Sequence, residues 1–361
     1  MRPKSEAELA DILRGANAPL AIRGGGTRGI GQVGGDVLET GGLSGIRLYE
    51  PGSLTLVAGA GTPLAEVEAA LAAEGQRLPF EPPDLRALLG RTGDSSIGGV
   101  VAANASGPRR VQAGACRDSL IGVRFVDGTG MVVKNGGRVM KNVTGIDLVK
   151  LMAGSHGTLG VLTEVSFKVL PAPEAQATLV LRGLSDAQAV AAMSAALGSP
   201  FEVTGAAHWP GQGTYLRIEG FAASVAYRRD RLLRHLADFG LVEEGDPAIW
   251  TGIRDVAPFH GGTGDVWRLS LRPSTAAAVV ARAGAEGALY DWGGGLVWLQ
   301  VAAGTDLRAR LGAIEGHATR VRGATNGPCA FAPETGGIAA LTAGLRARFD
   351  PKRILNHGLM G

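Results

Sequence analysis

In the first half of the chain apolar residues come in short alternating runs, each broken by glycine: LAIR at 20–23, IRLYE at 46–50, LTLVAGA at 54–60, GVRFVDGTGMVVK at 122–134 and VLTEVSFKVL at 161–170. A period of two over four to eight residues predicts half-buried strands. Helical spacing occurs twice among them. The N-terminal MRPKSEAELADIL carries Ser5 as N-cap and Glu8 three positions on, a capping box ahead of an amphipathic helix. Further on, Thr62 as N-cap, Pro63 at the first helical position and the stripe Leu64, Val67, Leu71 predict a helix that stops at Gly75. The pattern changes at Pro171-Ala172-Pro173, a strand end and linker.

Beyond this point the strand patterns ATLVLRGL (177–184), TYLRIEG (214–220), VWRLSLRP (266–273) and GLVWLQVAAG (295–304) are separated by the helical patterns SDAQAVAAMSAALG (185–198) and AASVAYRRDRLLRHLADFG (222–240). Strands interleaved with helices give an α+β layer, one sheet with its helices on one face. The closing RFDPKRILNHGLMG is too short to stand alone and is expected to dock back on the first unit. The expected division is 1–172, 173–345 and a docking segment 346–361.

Composition narrows the possibilities. With 361 residues, 45% hydrophobic and 19% charged, the chain has ample material for a packed core, although glycine, at 57 residues, is about twice its usual share of roughly 7%. The balance of 36 Lys+Arg against 33 Asp+Glu is only mildly basic, and aromatics are 5%. Without a basic stripe interleaved with aromatics, no nucleic-acid partner is expected. No apolar stretch approaches the roughly 18–20 residues that span a bilayer, and the N-terminus has no apolar core of a signal sequence, so a cytoplasmic chain is expected. Cys116 and Cys329 are too few for an iron–sulfur cluster held by this chain alone; both read as buried small hydrophobes.

Two glycine blocks carry the candidate chemistry. PLAIRGGGTRGIG (19–31) runs a strand into Gly24, Gly25 and Gly26, then Thr27, Arg28 and Gly29. Glycines allow successive N–H groups to converge on an anion such as a phosphate. Gly24, Gly26 and Gly29 satisfy G-x-G-x-x-G, yet QVGGDVLETGGLSG stands where a dinucleotide fold needs a helix, so the Rossmann reading fails. Thr27-Arg28 has the wrong spacing for a P-loop. Within PPDLRALLGRTGDSSIGGVVAANASG (82–107), Ser95, Ser96, Ile97, Gly98 and Gly99 read as a second nest, trailed by Asn104, Ala105, Ser106 and Gly107. Two nests suit an extended diphosphate ligand.

RGGGTRG (23–29), DSSIGGVVAANASGPRR (94–110), RDSLIGVRFVDGTG (117–130), KNVTGIDLVKLMAGSHGTLGVLTEVSFKVLP (141–171) and FDPKRILNHG (349–358) together resemble the vanillyl-alcohol oxidase and p-cresol methylhydroxylase (PCMH-type) superfamily of FAD-binding oxidoreductases. Within it the chain looks most like the smaller FAD-binding subunits of bacterial glycolate oxidases, and GPRR, WRLS (267–270) and WGGGLVWL (292–299) favour that branch. The resemblance implies a PCMH-type two-subdomain FAD-binding domain followed by a small sheet-and-helix cap domain. It implies that Arg23, Gly24, Gly25, Gly26, Thr27, Arg28 and Gly29 wrap the FAD pyrophosphate, with Ser96, Ile97, Gly98, Gly99, Asn104, Ala105, Ser106 and Gly107 along the diphosphate, ribityl chain and flavin edge. Asp118 would stand on the following loop, unless it only forms a turn. Gly160 and Val161 would lend main-chain groups to the adenine, or simply turn into the strand. No histidine precedes His156, so noncovalent FAD is expected.

By the same resemblance the partners are a larger FAD-containing glycolate oxidase subunit and an iron–sulfur subunit, with a small 2-hydroxy acid as substrate and any membrane contact peripheral, through the complex. Two alternatives stand beside it, a self-sufficient dehydrogenase of an acid such as D-lactate and a non-catalytic flavin scaffold. The histidine pair with which related enzymes bind a metal is missing; His260 in FHGGTGD reads as a loop residue. Arg109-Arg110 could clamp a carboxylate or contact flavin phosphate or a partner. Ile146 replaces the tyrosine usual in the TGYDL stretch, and His357 the proline usual after ILN. No catalytic residue and no metal ligand is assigned.

Overall fold

The computed structural model describes residues 1–137, 146–324 and 326–360; residues 138–145, with the whole of KNVTG (141–145), lie outside them. The alternating runs of the first half form an antiparallel five-stranded sheet in the order Ile46–Glu50, Thr55–Gly59, Val161–Lys168, Leu120–Val126, Val132–Gly136. Its core is built from Leu56, Phe80, Phe125, Val165 and Phe167, onto which the helix Leu64–Ala73 lays Leu64, Val67 and Leu71. That helix starts one residue later than the spacing predicts. Pro63 takes the N-cap position, and the Thr62 hydroxyl instead donates to Gly59 O at 2.7 Å and accepts from Gly45 N at 2.9 Å, tying two turns together. At the N-terminus Ser5 caps Glu8 N at 3.1 Å, while the Glu8 carboxylate accepts from Lys4 N rather than closing the box on Ser5.

Beside this sheet Leu20–Arg23 pairs in parallel with Asp36–Glu39. The C-terminal segment completes the layer: Leu20 N donates to Ile354 O at 2.7 Å and Asn356 N to Leu20 O at 3.0 Å. Asn356 is 5% exposed and bonds in two directions, accepting from Ile22 N at 2.7 Å and donating to His156 O at 2.7 Å. One side chain near the end of the chain thus locks the first strand to the turn that opens Val161–Lys168.

The second sheet has eight antiparallel strands, ordered Val242–Glu244, Ala175–Leu181, Gly213–Gly220, Val203–Trp209, Gly287–Asp291, Leu296–Val301, Asp265–Leu271, Gly316–Arg322. Alternation along Asp265–Leu271 divides its faces. Trp267, Leu269 and Leu271 pack with Met193, Leu232 and Val279 of the helices on one side, whereas Val266 joins Leu289, Leu296 and Trp298 against Leu85, Leu88, Ile253 and Phe259 on the other. Four of these strands (203–209, 242–244, 287–291 and 316–322) have no counterpart among the sequence predictions. VTGAAHW is small and buried throughout, so it lacks the polar half of a strand pattern. Cys116 is buried as expected, but Cys329 is exposed: it lies in an irregular turn whose carbonyl accepts from Arg308, outside any core.

A buried charge network joins the two sheets. Glu219 accepts from Arg109 at 2.6 and 2.9 Å and from Arg77 at 2.8 Å, while Arg217 forks onto Glu81 at 2.8 and 2.9 Å and lies 4.6 Å over the Trp250 ring. Burial opposes the Glu219 charge, yet its bonds to Arg109 and the nearby Arg217 and Arg77 win and hold the carboxyl at about 2. A charge cluster of this kind serves specificity and registration more than stability.

Candidate functional site

A cleft of about 880 Å³ lies between the parallel strand pair, the turn at 155–157 and the helix Ile97–Ala102. Its volume sits toward the top of the roughly 300–1,000 Å³ typical of small-molecule sites, more room than one phosphate needs. Arg23, Gly24, Gly25, Gly26, Thr27, Arg28 and Gly29 line one wall, Ser96, Gly98 and Gly99 another, and Gly160 an end.

The first loop has the form of an anion-binding element. The N–H groups of residues 25–29 donate to no other group among the described residues, all five residues line the cleft, and Gly26 takes φ +71°, a left-handed turn of the kind that lets successive N–H groups converge. Five adjacent unused donors beside a cavity are what a pyrophosphate requires. Its side chains work differently. Thr27 is 4% exposed, with its hydroxyl directed at Ser95, and Arg28 reaches Pro83 O at 2.6 Å and the Ser95 hydroxyl. Burial pushes Arg28 down to about 10. Arg28 is therefore a strut between the two glycine blocks, supplying positive potential to the cleft wall.

The second block is not a second nest. Ser96 caps a short helix, and its N–H groups are already committed: Ile97 to Thr62 O at 2.9 Å, Gly98 to Ala60 O at 2.8 Å and Gly99 to the Ser96 hydroxyl at 3.3 Å. Its glycines serve close approach. A Cβ on Gly98 would lie 2.6 Å from Ala60 O, one on Gly24 2.3 Å from the Ser96 hydroxyl, and one on Gly25 1.6 Å from Asp94 O. The two loops touch backbone to backbone, and this contact forms the floor of the cleft.

The other predicted residues lie off the cleft lining. Ile97 is buried in the core, and Val161 is buried within the ladder opposite Val126. Asn104 (φ +46°), Ala105, Ser106 and Gly107 continue beyond the lining residues Ala102 and Ala103 as a bonded turn: Asn104 Oδ1 accepts from Arg117 N, Ser106 Oγ from Cys116 N, and Gly107 N donates to Phe80 O. Asp118 caps Ala115 N at 2.8 Å with a half-exposed carboxylate, the turn-forming role. Arg109 is consumed by Glu219; Arg110 is not. His260 ties its own loop to Asp255 O at 2.8 Å, and among the described residues no group of three His, Cys, Asp or Glu is placed to hold a metal.

Several lining residues escaped sequence reasoning: Thr40, Arg91, Thr92, Ser155, His156, Gly157 and Asn356. His156 stands at φ +50° with its ring 5.1 Å from Phe331, and burial holds its imidazole down at about 4. The signal for Asn356 was present in FDPKRILNHG, but a lone asparagine there does not reveal that it spans 334 residues to reach Ile22.

Comparisons with known proteins agree with this geometry. The FAD binding domain model matches residues 1–136. The chain is 36% identical to glycolate oxidase subunit GlcE of Escherichia coli over 95% of its length and 92% of that protein, and 31% identical to glycolate oxidase subunit GlcD of Bacillus subtilis over 49% of this chain and 38% of that one. Among solved structures, alkyldihydroxyacetonephosphate synthase superposes on 100% of the chain and 77% of its own at a TM-score of 0.73 and 16% identity, a likeness of fold. No described helix is long and apolar enough to cross a membrane. With its fan of free N–H groups, its cleft and this similarity along almost its whole length, the chain belongs to the PCMH-type FAD-binding oxidoreductases, in the family of glycolate oxidase subunit GlcE, and its cofactor is FAD.

Proposed function

We propose that the protein is the smaller FAD-binding subunit of a complex that oxidises glycolate to glyoxylate. The observation that carries the reading is the fan of unused N–H groups at residues 25–29 facing the 880 Å³ cleft, in a chain 36% identical to a glycolate oxidase subunit over 95% of its length. Residues 1–172 would hold the cofactor, 173–345 form the cap, and 346–361 return to brace the first strand. The N–H groups of residues 25–29 would bind the pyrophosphate, with Arg28 adding charge and Gly98, Gly99 and Gly160 lining the cleft. Bound FAD supplies a two-electron acceptor for the hydride leaving the substrate α-carbon. The bonded turn at 104–107 extends the cleft wall toward the cap sheet, where a substrate would be screened from water.

Two cysteines, one buried and one exposed, do not make a cluster site, so electrons leaving the flavin call for a partner that holds iron–sulfur centres, alongside a larger FAD-containing subunit. In this reading the complex works in the cytoplasm, peripheral to the inner membrane face. The test is affinity purification of the tagged chain from its host with flavin and iron counted per complex, followed by anaerobic addition of glycolate. Stoichiometric flavin that bleaches near 450 nm in the complex supports the reading. A chain that copurifies alone, or a complex whose flavin glycolate leaves oxidised, sinks it.

A further inference from the structure

Where the cleft wall turns into the cap sheet, two arginines converge on one tryptophan. The Arg110 guanidinium carbon lies 4.5 Å from the Trp292 ring centre, and that of Arg268, from the strand Asp265–Leu271, lies 5.3 Å from it. Trp292 is held in place, its ring N–H donating to Gly107 O at 3.0 Å and its main-chain N–H to Asp291 Oδ1 at 2.7 Å, with a strained φ of +53°. Neither arginine side chain makes a hydrogen bond or ion pair among the described residues, although other buried arginines of this chain, Arg28, Arg109 and Arg217, are all bonded. Both guanidinia therefore present their N–H forks without an acceptor.

Two like charges against one ring repel each other, and burial together with this repulsion pushes Arg268 down to about 10. The charged groups around them do not cancel the excess. Asp291 is 3% exposed and is pushed up to about 7 by burial, and it forms no ion pair with Arg268; Asp118 is engaged with Arg117; burial and then Arg268 push the His317 imidazole on the neighbouring strand below its ordinary value. An anion within reach of both guanidinia offsets the repulsion and supplies the acceptor that each lacks. Planar guanidinium forks match a carboxylate in particular, donating to both of its oxygens.

We propose that Arg110 and Arg268, gathered on Trp292, form the binding site for the carboxylate of a small 2-hydroxy acid or its 2-oxo product. The assignment rests on the proposed function for the identity of the acid, but its geometry is independent of the pyrophosphate loop. It also divides the Arg109-Arg110 pair: Arg109 belongs to the buried charge network, and Arg110 faces the ligand.

The test uses the full chain purified with its flavin and titrates it calorimetrically with oxalate, a carboxylate the flavin does not oxidise, and counts FAD per chain in every sample. Arg110→Gln and Arg268→Gln should each weaken oxalate binding tenfold or more with FAD content unchanged, and Arg268→Lys should weaken it less. Oxalate affinity within twofold of wild type in both glutamine variants overturns the proposal, as does a wild-type chain that binds FAD but not oxalate. Loss of FAD together with oxalate binding also overturns it, because the pair would then serve the cofactor. Should Arg268→Gln not fold, the half-buried Arg110→Gln decides. Oxalate binding by a chain that takes up no FAD would sink the FAD reading and leave this one standing.

Discussion

Replacing Gly25 with alanine tests the proposed pyrophosphate loop at its tightest point. The added Cβ would lie 1.6 Å from Asp94 O and 2.7 Å from its carbonyl carbon. Reaching an ordinary contact of a little over 3 Å requires the loops to part by roughly 1.5 Å, since both sides are backbone and no side chain can swing away. Overpacking of this kind costs about 1–3 kcal/mol of stability. Binding suffers more. A displacement of roughly 1.5 Å takes an N–H group beyond hydrogen-bonding range of a fixed phosphate oxygen, and losing two charge-assisted bonds at about 1.5–3 kcal/mol each removes at least about 3 kcal/mol, or roughly a hundredfold in affinity. Fluorescence titration of the refolded apoprotein with FAD should read that loss, with thermal melting to follow the smaller effect on the fold. Gly34→Ala is the matched control: it lies in the same loop, and its added Cβ meets nothing within 4 Å. If Gly25→Ala binds FAD within threefold of wild type, the loop does not hold the diphosphate as described.

Other outcomes rest on single residues. Asn356→Asp keeps the acceptor for Ile22 N but loses the donor to His156 O, and Asn356→Leu loses both; chemical denaturation should place them about 1–2 and 2–4 kcal/mol below wild type, and equal losses would contradict the two-way role. Glu219→Gln leaves the half-buried Arg77 without its counter-charge and the buried Arg109 with Glu81 alone, at 3.8 Å, and should cost about 3 kcal/mol in the same assay; a change under 1 kcal/mol would make the network dispensable. His156 is kept neutral in the folded chain at about 4 against 6.5 when free, so the unfolded chain takes up the proton first. Stability should therefore fall as pH drops from about 6.5 to about 4, by about 3 kcal/mol in total, and urea melts of His156→Gln at both ends should show a flatter profile; an unchanged slope refutes it. Acid precipitation should release all flavin into the supernatant, because the first loop offers no histidine for attachment; yellow colour left in the pellet would point to His156, which does line the cleft.

Local chemistry was legible where a residue acts on its own neighbours. The strand patterns at 20–23, 46–50 and 161–170, the stripe Leu64, Val67, Leu71 and the glycine run at 24–26 each carry their structural meaning within a few residues. The same holds for the exclusion of a Rossmann helix, since Gly29 leads into a glycine-rich loop and a short strand. The second glycine block was read less well. SSIGG looks like a nest because glycines suggest free N–H groups, but the carbonyls of Ala60 and Thr62, more than thirty residues upstream, take them. The strands 203–209 and 287–291 were missed because burial on both faces erases the alternation that announces a strand.

By itself, then, the sequence determined which segments turn, which alternate and where glycines leave the backbone open, because backbone freedom and periodicity are properties of adjacent residues. Only the tertiary structure decided which donors stay free. Arg109 and Arg110 are neighbours in the chain and indistinguishable as text, yet one is spent on Glu219 of the cap sheet while the other meets Arg268 over Trp292. Asn356 acquires its role only because the C-terminal segment lies beside the first strand. Whether a polar group remains available to a ligand depends on what the rest of the chain brings within hydrogen-bonding distance, and those partners lie a hundred residues or more away.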